Sequence, residues 1–191
     1  MNMHKFVVVA AIAMNALAFS GTASAVVLTG SSNGANIVTD YSDAGVVSFD
    51  LDLHNFSGTT LNFVLEEADL AGPLSFNAII RNLVGLSLNQ LSFSLQGISY
   101  AAAGSVSSFS GAQASHTSNQ AVIKFANGET ADILFGNPTS IDGRSDWLLD
   151  TTGLSAGDTF SIVAQVPEPS TVAMVLPLLA GLLLARRRKR D

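Results

Sequence analysis

Apolar and polar residues alternate with a period of two through most of this chain. Phe49, Leu51 and Leu53 alternate with Asp50, Asp52 and His54, and Leu61, Phe63 and Leu65 with Asn62, Val64 and Glu66. Phe76, Ala78 and Ile80 alternate with Asn77, Ile79 and Arg81, and Leu91, Phe93 and Leu95 with Ser92, Ser94 and Gln96. Ala121, Ile123 and Phe125, then Ile133 and Phe135, Trp147 and Leu149, and Phe160, Ile162 and Ala164 continue the pattern. In an extended strand this spacing sends one set to a buried face and the other to water. Long helical periodicity is hard to find.

Turn-forming pairs punctuate the runs: Ser57-Gly58, Gly72-Pro73, Asn127-Gly128, Asn137-Pro138, Asp142-Gly143 and Gly157-Asp158. Asn127-Gly128, followed by Glu129 and set between two alternating runs, predicts a hairpin. About eight short strands, each with one apolar face, hide those faces against another sheet or by closing into a barrel, and the two-sheet solution is favoured. The expected fold is all-β, a two-sheet antiparallel β-sandwich of jelly-roll or Ig-like type. Its phenylalanines and Trp147 fill the core. Two stretches fit the pattern poorly. Leu83 to Leu91 reads as a turn plus strand or one helical turn, and the Ala/Ser-rich Ala101 to Asn119 as a weak strand pair or a surface loop.

The pattern breaks at both ends. Met1 to Lys5 is cationic, Phe6 to Phe19 is nearly all apolar, and Ala23-Ser24-Ala25 is an A-x-A site. These are the three regions of a secretory signal peptide, with cleavage expected between Ala25 and Val26. At the other end Val166-Pro167-Glu168-Pro169-Ser170-Thr171 precedes an apolar run from Val172 to Ala185, then Arg186, Arg187, Arg188, Lys189 and Arg190. Proline lacks an N–H and biases its predecessor away from helix, so Pro167-Glu168-Pro169 is a stiff extended spacer. The apolar run falls short of the ~20 residues of a comfortable spanning helix. It also contains Pro177, which weakens a permanent helix and suits a transient signal. The basic cluster stops transfer and stays cytoplasmic.

This tail closely resembles the PEP-CTERM sorting signal of Gram-negative bacteria, in the order motif, hydrophobic transmembrane helix, basic cluster. The resemblance covers the tail alone. It implies that a membrane protease, an exosortase, recognises Pro167-Glu168-Pro169 and removes the tail after export by the Sec machinery. It also implies transient residence in the inner membrane and delivery to the cell surface or extracellular matrix. The expected organisation is therefore a signal peptide over 1–25, a β-sandwich domain over 26–165 and a sorting tail over 166–191.

Removing both ends changes the charge. The precursor carries −6, but residues 26–165 hold only Arg81, Lys124 and Arg144 against thirteen acids, a net of −10. Such a surface repels nucleic acid. The chain has no cysteine, which removes thiol catalysis and cysteine-ligated metals.

Candidate chemistry is sparse. Asp50, Asp52 and His54 share one strand face, which is metal-ligand spacing or a solvated polar face. Glu66, Glu67 and Asp69 at a strand end suit a calcium site or plain solubility. Asp142-Gly143-Arg144-Ser145-Asp146 reads as a turn neutralised by its own Arg144 and lacks the helical calcium-loop pattern. No G-x-S-x-G elbow, P-loop or dinucleotide fingerprint occurs. Paired carboxylates for glycoside hydrolysis need a cleft that the sequence does not show. The expectation is a non-enzymatic protein without cofactor or metal, structural or adhesive in role and associated with exopolysaccharide or biofilm. A carbohydrate- or calcium-dependent binding module is the alternative, and an extracellular hydrolase comes third.

Overall fold

The computed structural model describes residues 25–167, so the expected signal peptide before Ala25, the expected sorting motif beyond Pro167, and the expected sorting helix and basic cluster lie outside the described residues. Thirteen strands and one 3-10 turn form two sheets. The strands are β1 (Val27–Ser32), β2 (Ile37–Asp40), β3 (Val46–Leu53), β4 (Thr59–Val64), β5 (Leu74–Asn82), β6 (Leu88–Gln96) and β7 (Ser99–Ala102). They continue as β8 (Val106–Ser107), β9 (Ala112–His116), β10 (Gln120–Glu129), β11 (Ile133–Phe135), β12 (Trp147–Asp150) and β13 (Thr159–Gln165). One sheet has the order β1-β4-β13-β6-β10-β9. The other has β2-β3-β5-β11-β8, with β12 bridging β5 and β7. The described part is all-β, as the alternation predicts.

The alternating residues are the core. Phe49, Leu51, Leu61, Phe63, Phe76, Ile80, Phe93, Ile123, Phe135, Trp147 and Ile162 are buried without measurable exposure. Phe93 of one sheet meets Phe49, Phe76 and Phe135 of the other at centroid distances of 6.3, 5.4 and 4.7 Å. These contacts clamp the two sheets face to face, and each buried phenylalanine contributes about 1.5–3 kcal/mol through the area it removes from water. Trp147 stacks on Phe135 at 4.6 Å and 13°, and its indole N–H donates to the Ser105 carbonyl at 3.1 Å. Its fully buried polar edge is thereby satisfied.

Two expectations need correction. The sheets are not wholly antiparallel, because β3 and β5 pair in parallel from Val46↔Ser75 to Leu53↔Asn82. The intervening β4 lies in the opposite sheet, so the chain arches across the core and returns in the direction of β3. Nor is Asn127-Gly128 a hairpin. The strand β10 runs through it, pairing Lys124 with Gln90 and Glu129 with Leu88, so the extra residues bulge outward. Gly128 supplies φ +71°, and a Cβ there would sit 2.7 Å from that of Ser87. The pair makes a bulge that turns the chain toward the other sheet, where β11 lies.

The two ambiguous stretches resolve into strand and loop. Residues 83–87 bend and β6 begins at Leu88, while 101–119 carries the end of β7, then β8 and β9. The strand β9 is an exposed sheet edge on β10, which explains its lack of apolar bulk. Edge strands β1 and β2 are likewise mostly exposed and carry no alternating apolar face.

Candidate functional site

The outer face of the β3–β5 sheet carries an open groove of about 590 Å³. Its floor comes from outward positions of the parallel pair: Val46, Ser48 and Asp50 on β3, and Asn77 and Ile79 on β5. Tyr41 stands at one side, and Asn137, Pro138, Ser140 and Asp146 at the other.

Each wall is held by the backbone. Tyr41 donates its N–H to the Ser48 carbonyl at 2.8 Å. The neighbouring Ser42 hydroxyl accepts from the Ser48 N–H at 3.2 Å and lies 2.7 Å from the Asp40 carboxylate. Tyr41 is nevertheless 59% exposed on this fixed stem. Opposite, Asn77 Oδ1 accepts the Asn137 N–H at 2.7 Å. The Asn137 side chain closes its own turn by accepting from Ile141 N at 2.8 Å and donating to Ile141 O at 3.1 Å. Gly136 makes this approach possible: its φ is +75°, and a Cβ there would lie 2.1 Å from Asn77 Oδ1. Ser140 on the rim has φ +52°, a left-handed conformation that a non-glycine residue adopts under local constraint.

Among the described residues the groove is lined by two carboxylates, Asp50 and Asp146, and by no cation, and Asp50 is ion-paired from the side by Arg81. Asp50 is 6% exposed and accepts from Arg81 Nη2 through Oδ2, while Arg81 Nη1 donates to Asp52 at 2.9 Å. The Asp52 and Asp50 carboxylates together raise the Arg81 guanidinium above its ordinary value.

Sequence-nominated groups take other roles. Asp50 and Asp52 are brought together by Arg81 and not by His54, which is exposed at the strand end. Among the described residues no three His, Asp or Glu side chains converge as metal ligands. Asp69 is buried, accepting from Gly45 N at 2.9 Å and Glu66 N at 2.8 Å, so its oxygens clasp backbone. Arg144 makes no ion pair with Asp142 or Asp146 among the described residues; the turn is held by Asn137 instead. Val26 and Val166 are buried, so the core reaches both proposed processing junctions, and Pro167 is exposed beyond the central strand β13. Ala25 is half-buried beside Val26. Among the described residues no helix is long and apolar enough to cross a membrane.

Tyr41 and Asn77 were not singled out by the sequence pattern. The available signals were an aromatic residue isolated among turn-forming residues in Asp40-Tyr41-Ser42-Asp43, and an amide on a strand that pairs on both sides. Fold and groove together define a two-sheet β protein with a polar surface cleft. Comparison with protein-family models, curated proteins and solved structures finds no match to the chain.

Proposed function

We propose that this chain is an exported protein of a Gram-negative envelope. It is cut after Ala25, sorted by exosortase at Val166-Pro167-Glu168-Pro169-Ser170, and delivered to the cell surface or extracellular matrix. There it serves a non-enzymatic, structural or adhesive role in association with exopolysaccharide. The observation that carries the reading is the pair of address segments in the sequence, an A-x-A leader and a Pro-Glu-Pro tail with Arg186–Arg190, bracketing one domain. It is supported by a compact core that needs no disulfide. A hydrolytic role is disfavoured because the carboxylate on the groove floor, Asp50, is tied to Arg81, whereas a glycosidase acid needs an apolar surrounding. Replacing Pro167, Glu168 and Pro169 with alanine in an exosortase-bearing host tests the route. The expected outcome is retention in the inner membrane while the wild-type protein leaves it. Equal release of both proteins would refute exosortase sorting.

A further inference from the structure

We propose that one end of the sandwich is a lipid-contacting tip. It lays Leu83, Leu86 and Phe109 on the outer surface of the inner membrane while the precursor is held there by its tail. The inference rests on the sorting route above for the tether, and adds a lipid contact made by the folded domain itself. Phe109 is 90% exposed, and Leu83 and Leu86 are 52% and 54% exposed. Single apolar residues scattered over a surface are ordinary, but these three share one end of the fold. The 83–87 loop enters β6 at Leu88, which pairs with Glu129 at the end of β10. Glu129 accepts the Ser110 N–H and hydroxyl through Oε2, and its carbonyl accepts from Asn82 Nδ2 at 3.0 Å. The same Nδ2 donates to the Leu86 carbonyl at 2.8 Å. Phe109 and Leu86 thus stand on two loops tied to one strand end.

The chain leaves the domain from this same end. In β13, Ser161 pairs with Gln96 and Gln165 with Ser92, so the strand runs toward the start of β6 and the 83–87 loop. Val27, at the other terminus, pairs with Val64 at the opposite end. Beyond Pro167 the sequence has only Glu168-Pro169-Ser170-Thr171 before the apolar run from Val172. The seven steps from Gln165 to Val172 span at most about 25 Å. The stretch of β6 from Ser92 back to Leu88 takes about 13 Å of that, and the headgroup layer about 5–8 Å. With Val172 at the boundary of the hydrocarbon core and the strands upright, the tip stands within about 7 Å of the lipid surface. The tether therefore fixes which surface lies in front of Phe109.

Charge agrees with a bilayer on that side. The 83–87 and 108–111 loops contain no charged residue. Near the tip Asp52 is paired with Arg81, Glu129 is enclosed by its hydrogen bonds, and exposed Asp132 and Lys124 cancel in net charge. Asp43, Glu66, Glu67, Asp69, Asp150 and Asp158 lie at the opposite strand ends, so much of the domain's acidity faces away from the membrane. Phenylalanine and leucine on neutral loops enter the boundary between headgroups and acyl chains without burying a charge.

The test reconstitutes the full chain into phosphatidylcholine nanodiscs that contain spin-labelled phosphatidylcholine. The chain has no cysteine, so Asn127→Cys at the tip and Glu67→Cys at the opposite end, both exposed positions, each accept a single fluorophore. The tip label is expected to shift to the blue and lose most of its emission to the lipid quencher, and the opposite label to do neither. Adding Leu86→Ser and Phe109→Ser should abolish most of the quenching of the tip label. The melting temperature should stay that of the parent, because both side chains are exposed. Equal signals from the two labels, or tip quenching that survives the double substitution, would overturn the proposal. So would a blue shift at the tip without lipid quenching, which marks a second copy or the chain's own tail on this surface. Lipid quenching at the tip of a protein whose Pro167-Glu168-Pro169 is never cut defeats exosortase sorting alone; normal tail removal with an unquenched tip defeats this inference alone.

Discussion

Replacing Glu129 with glutamine removes a negative charge from a place where the fold has built a cage for it. Glu129 is 1% exposed, and its Oε2 accepts the Ser110 N–H at 2.8 Å and the Ser110 hydroxyl at 3.0 Å. Oε1 accepts the Thr130 and Ala131 N–H groups at 2.9 and 2.8 Å. Burial opposes the charged form most strongly of any single influence. The bonds from Ser110, Ala131 and Thr130 together outweigh it and hold the carboxyl below the usual range. In Glu129→Gln the amide oxygen keeps Thr130 and Ala131, but the NH2 faces the Ser110 N–H, donor against donor. Hydrogen bonds to a charged acceptor contribute about 1.5–3 kcal/mol each, and half-buried Ser110 recovers part through water, so the loss is about 2–4 kcal/mol.

The pH dependence has a definite sign. A depressed carboxyl stabilises the fold fully above its unfolded value, about pH 4.3, and loses that contribution as pH falls through the lower folded value. Urea unfolding of both proteins across the acid range should therefore show a gap that is wide at neutral pH and narrows below about pH 4. Amide exchange at Ser110 should also quicken in the variant. A Glu129→Gln protein within about 0.5 kcal/mol of wild type at neutral pH, with a gap independent of pH, would refute the cage.

Other substitutions probe the packing. Trp147→Ala should cost about 3–5 kcal/mol, read from chemical denaturation, because it empties a fully buried site stacked on Phe135. Gly136→Ala should cost more than about 1 kcal/mol and loosen the 137–141 turn, since both its φ and its contact with Asn77 exclude a Cβ. Arg81→Met should destabilise more at low than at high salt, as its pair with Asp50 and Asp52 is partly open to solvent. A thermal melt should not move with calcium or chelator, because the Asp69 oxygens already clasp Gly45 and Glu66; a rise of several degrees with calcium would contradict this.

The inward strands were legible because their signal is strong and local. Every residue of the sets Phe49-Leu51-Leu53, Leu91-Phe93-Leu95 and Phe160-Ile162-Ala164 is buried. What sequence reasoning missed follows from long-range pairing. The edge strands β1 and β9 lack an apolar face, and only their neighbours make them strands. The direction of β5 depends on β4 crossing to the other sheet, which period-two alternation does not encode. Glu129 and Asp69 look like solvated surface acids in sequence, yet each is buried as a cap for distant N–H groups, Ser110 and Gly45 among them. The groove escaped notice for the same reason, since its floor joins Asp50 to Asn77 and its wall joins Asn77 to Asn137.

Intact-mass measurement of the protein shed from producing cells addresses the sorting claim most directly. A species beginning at Val26 and ending near Pro167–Pro169 is predicted. An extracellular species that still carries Arg186–Arg190, or a pool confined to the inner membrane with Leu182 and Arg190 intact, would contradict it.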